Sequence, residues 1–225
     1  VGYVSDKPVI AVTGTLREGD LVKGLGVTVV AGGSDPERLR RELADLAPHA
    51  AGIISFGMAG AIDRHLKLGD MIIGTRLIGG FTGDCDAAWI AALKVMVPKA
   101  KLGAIHADGR FFADYRSKSE RAGRSAALAV DMESHIAAQA AADAGIPFAI
   151  LRSISDLSEV NLPPAIAVAM KPDGGVNYGA VIGSILKQPG QLPHLMGTVS
   201  GFAKAYGQFG KALKKSDGRL GFDRR

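Results

Sequence analysis

A layered α/β domain around a largely parallel or mixed sheet is the fold this sequence predicts, and three observations predict it. Short apolar runs recur along the chain and several end directly in glycine, the pattern of strands running into tight turns. Segments with helical spacing and capping residues lie between them. GIISF at 52–56 and PFAIL at 147–151 are apolar almost throughout, as expected of strands covered on both faces. Strand, helix and strand therefore alternate, which defines the α/β class and places a site at the carboxyl ends of the strands.

The elements follow in order. KPVIAVTG (7–14) and GVTVVA (26–31) read as strands, the second closed by Gly32 and Gly33. Ser34 to Glu37 matches S-x-x-E with Pro36 in the first turn, and Leu39, Leu43 and Leu46 then recur at helical spacing up to Pro48. GIISF is followed by a tight turn containing Gly57, Ala59 and Gly60. Met71 to Ile78 repeats the strand pattern, Trp89 to Val97 predicts a helix, Leu102 to His106 a strand, and Ser119 to Leu128 a further helix. Met132 to Ala144 is alanine-rich and stops at Gly145, after which Pro147 to Arg152 forms another strand. The two glycine turns could offer backbone amides to a polar ligand or serve only as turns.

Composition bounds the rest. The chain has 225 residues, 47% of them hydrophobic, enough for a substantial core. We expect one catalytic domain over 1–190 and an amphipathic helix with a basic tail over 191–225. Residues 1–203 hold 20 basic and 20 acidic side chains, so the net charge of +5 arises wholly in the tail. Such a tail suits a solvated end; with no recognition module in the body, nucleic acid is not expected as a partner. The single Cys85 cannot form an internal disulfide and reads as a small buried hydrophobe. The five histidines show no ligand spacing, and no metal or other cofactor is expected. No run approaches the roughly 18 apolar residues of a membrane span, so the expected location is the cytoplasm.

Two carboxylates carry the chemistry. Glu133, in AVDMESHIAAQAAADAG, and Asp156, closing PFAILRSISD, are one helix and one strand apart. Cleaving a purine N-ribosyl bond needs one carboxyl that supplies a proton at N7 and one that stays ionised to hold the ribose as it becomes cationic. Each also has a plainer reading. Asp156 and Glu159 fit a capping box, and Glu133 fits an acid in a first helical turn. Taken together, ISFGMAGAID, LGDMIIG and VDMESHIAAQAAADAGIPFAILRSISD resemble the signature segments of the nucleoside phosphorylase and nucleosidase superfamily. NLPPAIAVAMKPDGG and ILKQPGQLPHL further resemble its hopanoid-biosynthesis branch, whose expected substrate is adenosylhopane.

The resemblance implies a three-layer α/β/α sandwich with a mixed, barrel-like sheet. It also implies adenine release by a nucleosidase or phosphorylase, and a homo-oligomer. By resemblance Asp156 donates to N7, Glu133 accepts from the ribose 2′ and 3′ hydroxyls, and Met132 packs under the sugar. Phe111 or Phe112 lies on the base, with ordinary core packing as the alternative. Ala59 and Gly60 supply backbone near base and sugar. Glu18 activates water, and Arg152 stands near that water or orients Glu133, with a structural ion pair as its alternative. Where phosphorolytic relatives carry an arginine three residues before Ser or Thr, this chain has Ser55 and Met58. A phosphate would then lack its usual partners unless Arg17 or Arg110 replaced them, which favours water as nucleophile over phosphate as co-substrate. A nucleosidase for small thioadenosines and a catalytically idle binding protein are the rivals. Finally, Leu192, Leu195, Val199, Phe202, Tyr206, Phe209 and Leu213 form one stripe beside lysines. That stripe packs on the body or a partner, or rests on an anionic membrane that carries a lipid substrate.

Overall fold

The computed structural model describes residues 7–111, 120, 126–214, 216 and 218–224. Its strands are β1 (Val9–Thr13), β2 (Val27–Ala31), β3 (Gly52–Ala61), β4 (Met71–Gly79), β5 (Gly83–Asp84), β6 (Lys101–Ala107), β7 (Ala127–Asp131) and β8 (Phe148–Asp156). The helices are α1 (Leu16–Val22), α2 (Pro36–Leu46), α3 (Ala87–Met96), α4 (Ser134–Asp143), α5 (Pro164–Ala167), α6 (Tyr178–Lys187) and α7 (Leu192–Leu213). Most predicted elements are present, with instructive differences: Gly57, Ala59 and Gly60, expected in a tight turn after residue 56, lie inside β3, where pairing with β8 continues the strand. Asp35, not Ser34, caps α2 by accepting the Arg38 N–H at 2.9 Å. Leu128, expected to end a helix, lies in β7, while residues 119 and 121–125 fall outside the described set. No helix follows Asp156 directly, so the capping-box alternative for Asp156 and Glu159 does not apply.

The sheet closes on itself. β8 pairs parallel with β3 and antiparallel with β4; β4 pairs with β6, β6 with β7, and β7 returns antiparallel to β3. β1 and β2 extend this ring in parallel from β3. Closure leaves the ring strands without free edges, the usual solution for a mixed barrel. It also explains why β8 is buried at all nine positions. Successive residues serve different cores. Ile10, Ile53, Ile72 and Ile150 pack with Leu39 and Leu43 of α2 and Ile136 of α4. Val9, Ile54, Ile73 and Leu151 pack with Trp89 and Leu93 of α3 and Phe209 of α7. Apolar residues at both alternations give the three-layer sandwich its continuous apolar runs.

The last 35 residues do not stand apart from the body. Thr198, Gly201, Ala205, Phe209 and Ala212 form the buried side of α7, and Phe209 meets Phe56 at 4.4 Å between ring centroids. A Cβ at Gly201 would collide with the Ser155 carbonyl, so glycine here lets the helix lie directly on β8. The buried row contains only Phe209 of the stripe read from the sequence; Leu192 and Val199 are exposed. Small side chains, invisible to an apolar count, set the packing face. The tail, expected in solvent, returns to the core. Trp89 Nε1 donates to the Leu220 carbonyl at 2.9 Å, and Phe222 packs edge-on against the indole at 4.9 Å. Cys85 is buried as expected, and burial, helped by Asp84 and Asp86, pushes its thiol up to about 12. Among the described residues no helix is long and apolar enough to cross a membrane.

Candidate active site

The ends of β1, β3, β7 and β8 converge, and each delivers part of the site. After β1, Thr15 and Glu18 form a reciprocal capping box at the start of α1. Glu18 Oε2 accepts the Thr15 N–H at 2.8 Å, and Oε1 reaches across to accept the Met58 N–H on β3 at 2.7 Å. A helix cap that ordinarily faces solvent is thus buried, and its carboxylate is fixed by backbone donors from two elements. Gly57 makes room for it. Its φ of +151° is in the range glycine tolerates, and a Cβ there would stand 2.6 Å from Glu18 Oε1 and 2.9 Å from Arg152 Nη1. A Cβ at Gly14 would stand 3.2 Å from Glu18 Oε2 and 3.4 Å from Glu133 Oε1. Glu18, Glu133 and Arg152 are therefore brought together.

Asp131, the last residue of β7, organises this cluster. Its Oδ1 accepts the N–H groups of Glu133 and Ser134 at 3.0 and 2.8 Å, capping α4 in place of Glu133, whose side chain caps nothing. Asp131 Oδ2 takes the Arg152 Nε at 3.0 Å, while Arg152 Nη2 donates to Ser55 Oγ at 2.5 Å and Ser134 Oγ at 3.0 Å. The ion-pair alternative for Arg152 is thus the arrangement seen, and it is almost wholly buried. Asp131, Ser134 and Thr15 escaped the sequence reading. The spacing D-x-E-S, an aspartate two and three residues before donors at a helix start, is the signal that could have found the first two.

Asp156 lies elsewhere along β3. It closes β8 opposite Gly60, just past a register shift between Ala59 and Gly60, and a Cβ on Gly60 would sit 2.9 Å from Asp156 Oδ2. Ser155 Oγ donates to Asp156 Oδ1 at 2.9 Å. Gly57 and Gly60 are three strand residues apart, roughly 10 Å, so the Glu18 end and the Asp156 end lie apart along the β3 backbone. Ala59 is buried and Gly60 half-buried there, and Met132 is half-buried beside Glu133. Phe111 is 40% exposed, which removes core packing as its explanation; Phe112 lies outside the described residues. Arg17 stacks over the Tyr206 ring at 4.6 Å, and Arg110 is exposed beside Asp108.

Electrostatics differ from expectation at Glu133. Its carboxyl is pushed up to about 8, first by burial and then by Asp131 and Glu18, against opposing pulls from Arg152 and the Met132 N–H. Burial beside Asp131 and Glu18 therefore opposes the ionised form that the role expected of Glu133 requires. An unfolded glutamate ionises near 4.5 while the folded one holds its proton to about 8, so stability should fall as pH rises through that window. Glu133→Gln should flatten this slope in thermal melts across the window; an unchanged slope would assign it to other groups.

Residues 3–163 match the phosphorylase superfamily, and the protein belongs to that family. No curated protein sequence matches it. Among solved structures it is similar to the 5′-methylthioadenosine/S-adenosylhomocysteine nucleosidase of Helicobacter pylori, with 17% identity, a TM-score of 0.65, and 93% of this chain and 97% of that one covered. It is likewise similar to the futalosine hydrolase of the same organism, at 17% identity, TM-score 0.65 and coverage of 92% and 96%. The S-adenosylhomocysteine nucleosidase of Streptococcus pyogenes aligns at 19% identity, TM-score 0.63 and coverage of 95% and 98%. These likenesses establish the fold, including the mixed, barrel-like sheet expected from the sequence.

Proposed function

We propose that this protein hydrolyses the N-glycosidic bond of an adenosyl compound and releases adenine. The observation that carries the reading is the separation of Asp156 from the joined Glu18, Glu133 and Arg152 by one stretch of β3 backbone. A purine nucleoside laid along that stretch would put its base toward Asp156 and its sugar toward Glu133. As the C1′–N9 bond breaks, Asp156 gives a proton to N7, and the electron pair leaves with adenine. Glu133, ionised, accepts bonds from the ribose hydroxyls that strengthen as positive charge develops. A water bonds to C1′ from the opposite face and passes its proton to Glu18, and solvent returns that proton to Asp156.

Because the resting Glu133 holds its proton to about 8, kcat/KM should climb toward a plateau above that pH. Glu133→Gln should be slow and lack this limb. A flat profile from pH 6 to 9 for the wild-type protein would show that Glu133 ionisation does not limit the reaction.

Water is favoured over phosphate by the state of the candidate phosphate partners. Ser55 is fully buried and engaged by Arg152, whose guanidinium is already paired with Asp131. Met58 offers no side-chain donor. The substrate we favour is adenosylhopane, giving ribosylhopane, on the resemblance of residues 161–175 and 185–195; a methylthioadenosine or S-adenosylhomocysteine nucleosidase is the runner-up, supported by the fold neighbours. We place the enzyme in the cytoplasm, as a homo-oligomer. Incubation with adenosylhopane and separately with methylthioadenosine, each with and without phosphate, should yield adenine and a free reducing sugar without phosphate. Strict phosphate dependence with a ribose 1-phosphate product would replace hydrolysis by phosphorolysis. Absence of adenine in every arm would leave a binding protein.

A further inference from the structure

We propose that the elbow formed by α6, the Pro189–Gln191 turn and the first half of α7 docks on an anionic bilayer surface. Helix α6 buries none of its ten residues. Tyr178, Ile182 and Leu186, at i, i+4 and i+8, are 72%, 57% and 77% exposed and line one side of it. Beyond the turn, Leu192, Met196 and Val199 continue at i, i+4 and i+7 and are 46%, 74% and 57% exposed. Scattered exposed hydrophobics need no explanation, but six on one elbow mark a contact surface. The elbow is pinned rather than frayed. The Gln191 side chain accepts the Ala165 N–H and donates to the Ser184 carbonyl, both at 2.9 Å.

Charge selects the occupant. Between Asp173 and Asp217 the sequence has five lysines and no acidic residue. Lys187 ends α6 and Lys204 is on the exposed side of α7. An apolar stripe with a tyrosine at one end, Lys187 at the other and Lys204 farther along α7 suits the headgroup boundary of anionic lipid. A second copy docking through the same face would set lysines against lysines. The surface also differs from the stripe over 192–213 read from the sequence, because the later part of α7 is used against the body. The chain entering α6 runs beside the carboxylate cluster: Gly174 O accepts the Leu16 N–H at 3.0 Å, and Lys171 O the Ser34 N–H at 3.1 Å. A docked elbow would therefore present the site's rim to the bilayer. That consequence rests on the lipid-substrate reading, whereas the docking itself does not.

The test is sedimentation of the full chain with vesicles of phosphatidylcholine and phosphatidylglycerol in about equal parts, and with phosphatidylcholine alone. Binding to the anionic vesicles at low salt and release as salt rises is expected, with each lysine at the surface worth about fivefold in partitioning. The double variant Ile182→Glu, Leu186→Glu and the single Met196→Glu should each lose about tenfold or more. Val95→Glu, at another exposed apolar position on α3, should bind like the wild-type protein. Thermal melts and adenine release from soluble methylthioadenosine, run in parallel, should be unchanged in all three. Failure of the wild-type chain to sediment, equal sedimentation of the double variant, or a solution dimer that the double variant abolishes would each overturn the proposal. Vesicle binding with no adenine release from methylthioadenosine in any variant would support docking and withdraw only methylthioadenosine as a substrate.

Discussion

Asp156→Asn is expected to lower kcat by about two or more powers of ten while leaving the fold and thermal stability near those of the wild-type protein. The amide keeps the shape at Gly60 and can still receive the Ser155 hydroxyl, but it cannot transfer a proton to N7. The comparison that matters is kcat against KM. A role confined to gripping the base would raise KM and spare kcat, whereas proton donation in the transition state lowers kcat. Single-turnover measurement of adenine release separates the two, and near-normal kcat in a folded variant would remove Asp156 from the chemistry.

Arg152→Met should be the most damaging change to stability, about 3–5 kcal/mol in denaturant unfolding, or roughly 10 °C in Tm. The methionine fills much of the space, but Asp131 is left buried without its cation, with Ser55 and Ser134 deprived of a donor. Replacing the pair together, Asp131→Asn with Arg152→Met, should cost less than the sum of the two single changes because no buried charge is stranded. Loss of Arg152 also removes the cation that counters the upward push on Glu133. Surviving activity should therefore need higher pH. A loss below about 1 kcal/mol would mean that water reaches the pair and solvates it.

Glu18 shows where sequence reasoning stops. Its segment, TGTLREGD, carries a Thr-x-x-Glu capping pattern that any surface helix could have. Only the parallel pairing of β1 with β3 brings the cap beside Met58 and, across Gly14, beside Glu133. Arg152 is similar. It reads as the polar end of an apolar strand until β7 places Asp131 against it. The C-terminal segment misleads in the opposite sense. Its large apolar residues predict a stripe, yet the glycine and alanines at 201, 205 and 212 choose the packing face, because a helix can approach β8 closely only where side chains are small.

By itself the sequence determined the α/β class, the strands near 7–14, 52–56 and 147–152, and the two carboxylates at consecutive strand ends. These depend on local periodicity and on residue types placed a helix and a strand apart. Tertiary structure alone decided that β8 closes a barrel between β3 and β4, that Leu220 and Phe222 belong to the core, and that burial beside Asp131 and Glu18 pushes the Glu133 carboxyl upward. The physical reason is common to all three. Strand closure, burial and the interaction of charges depend on which distant segments share a few ångströms of space, and residue spacing along the chain does not carry that information.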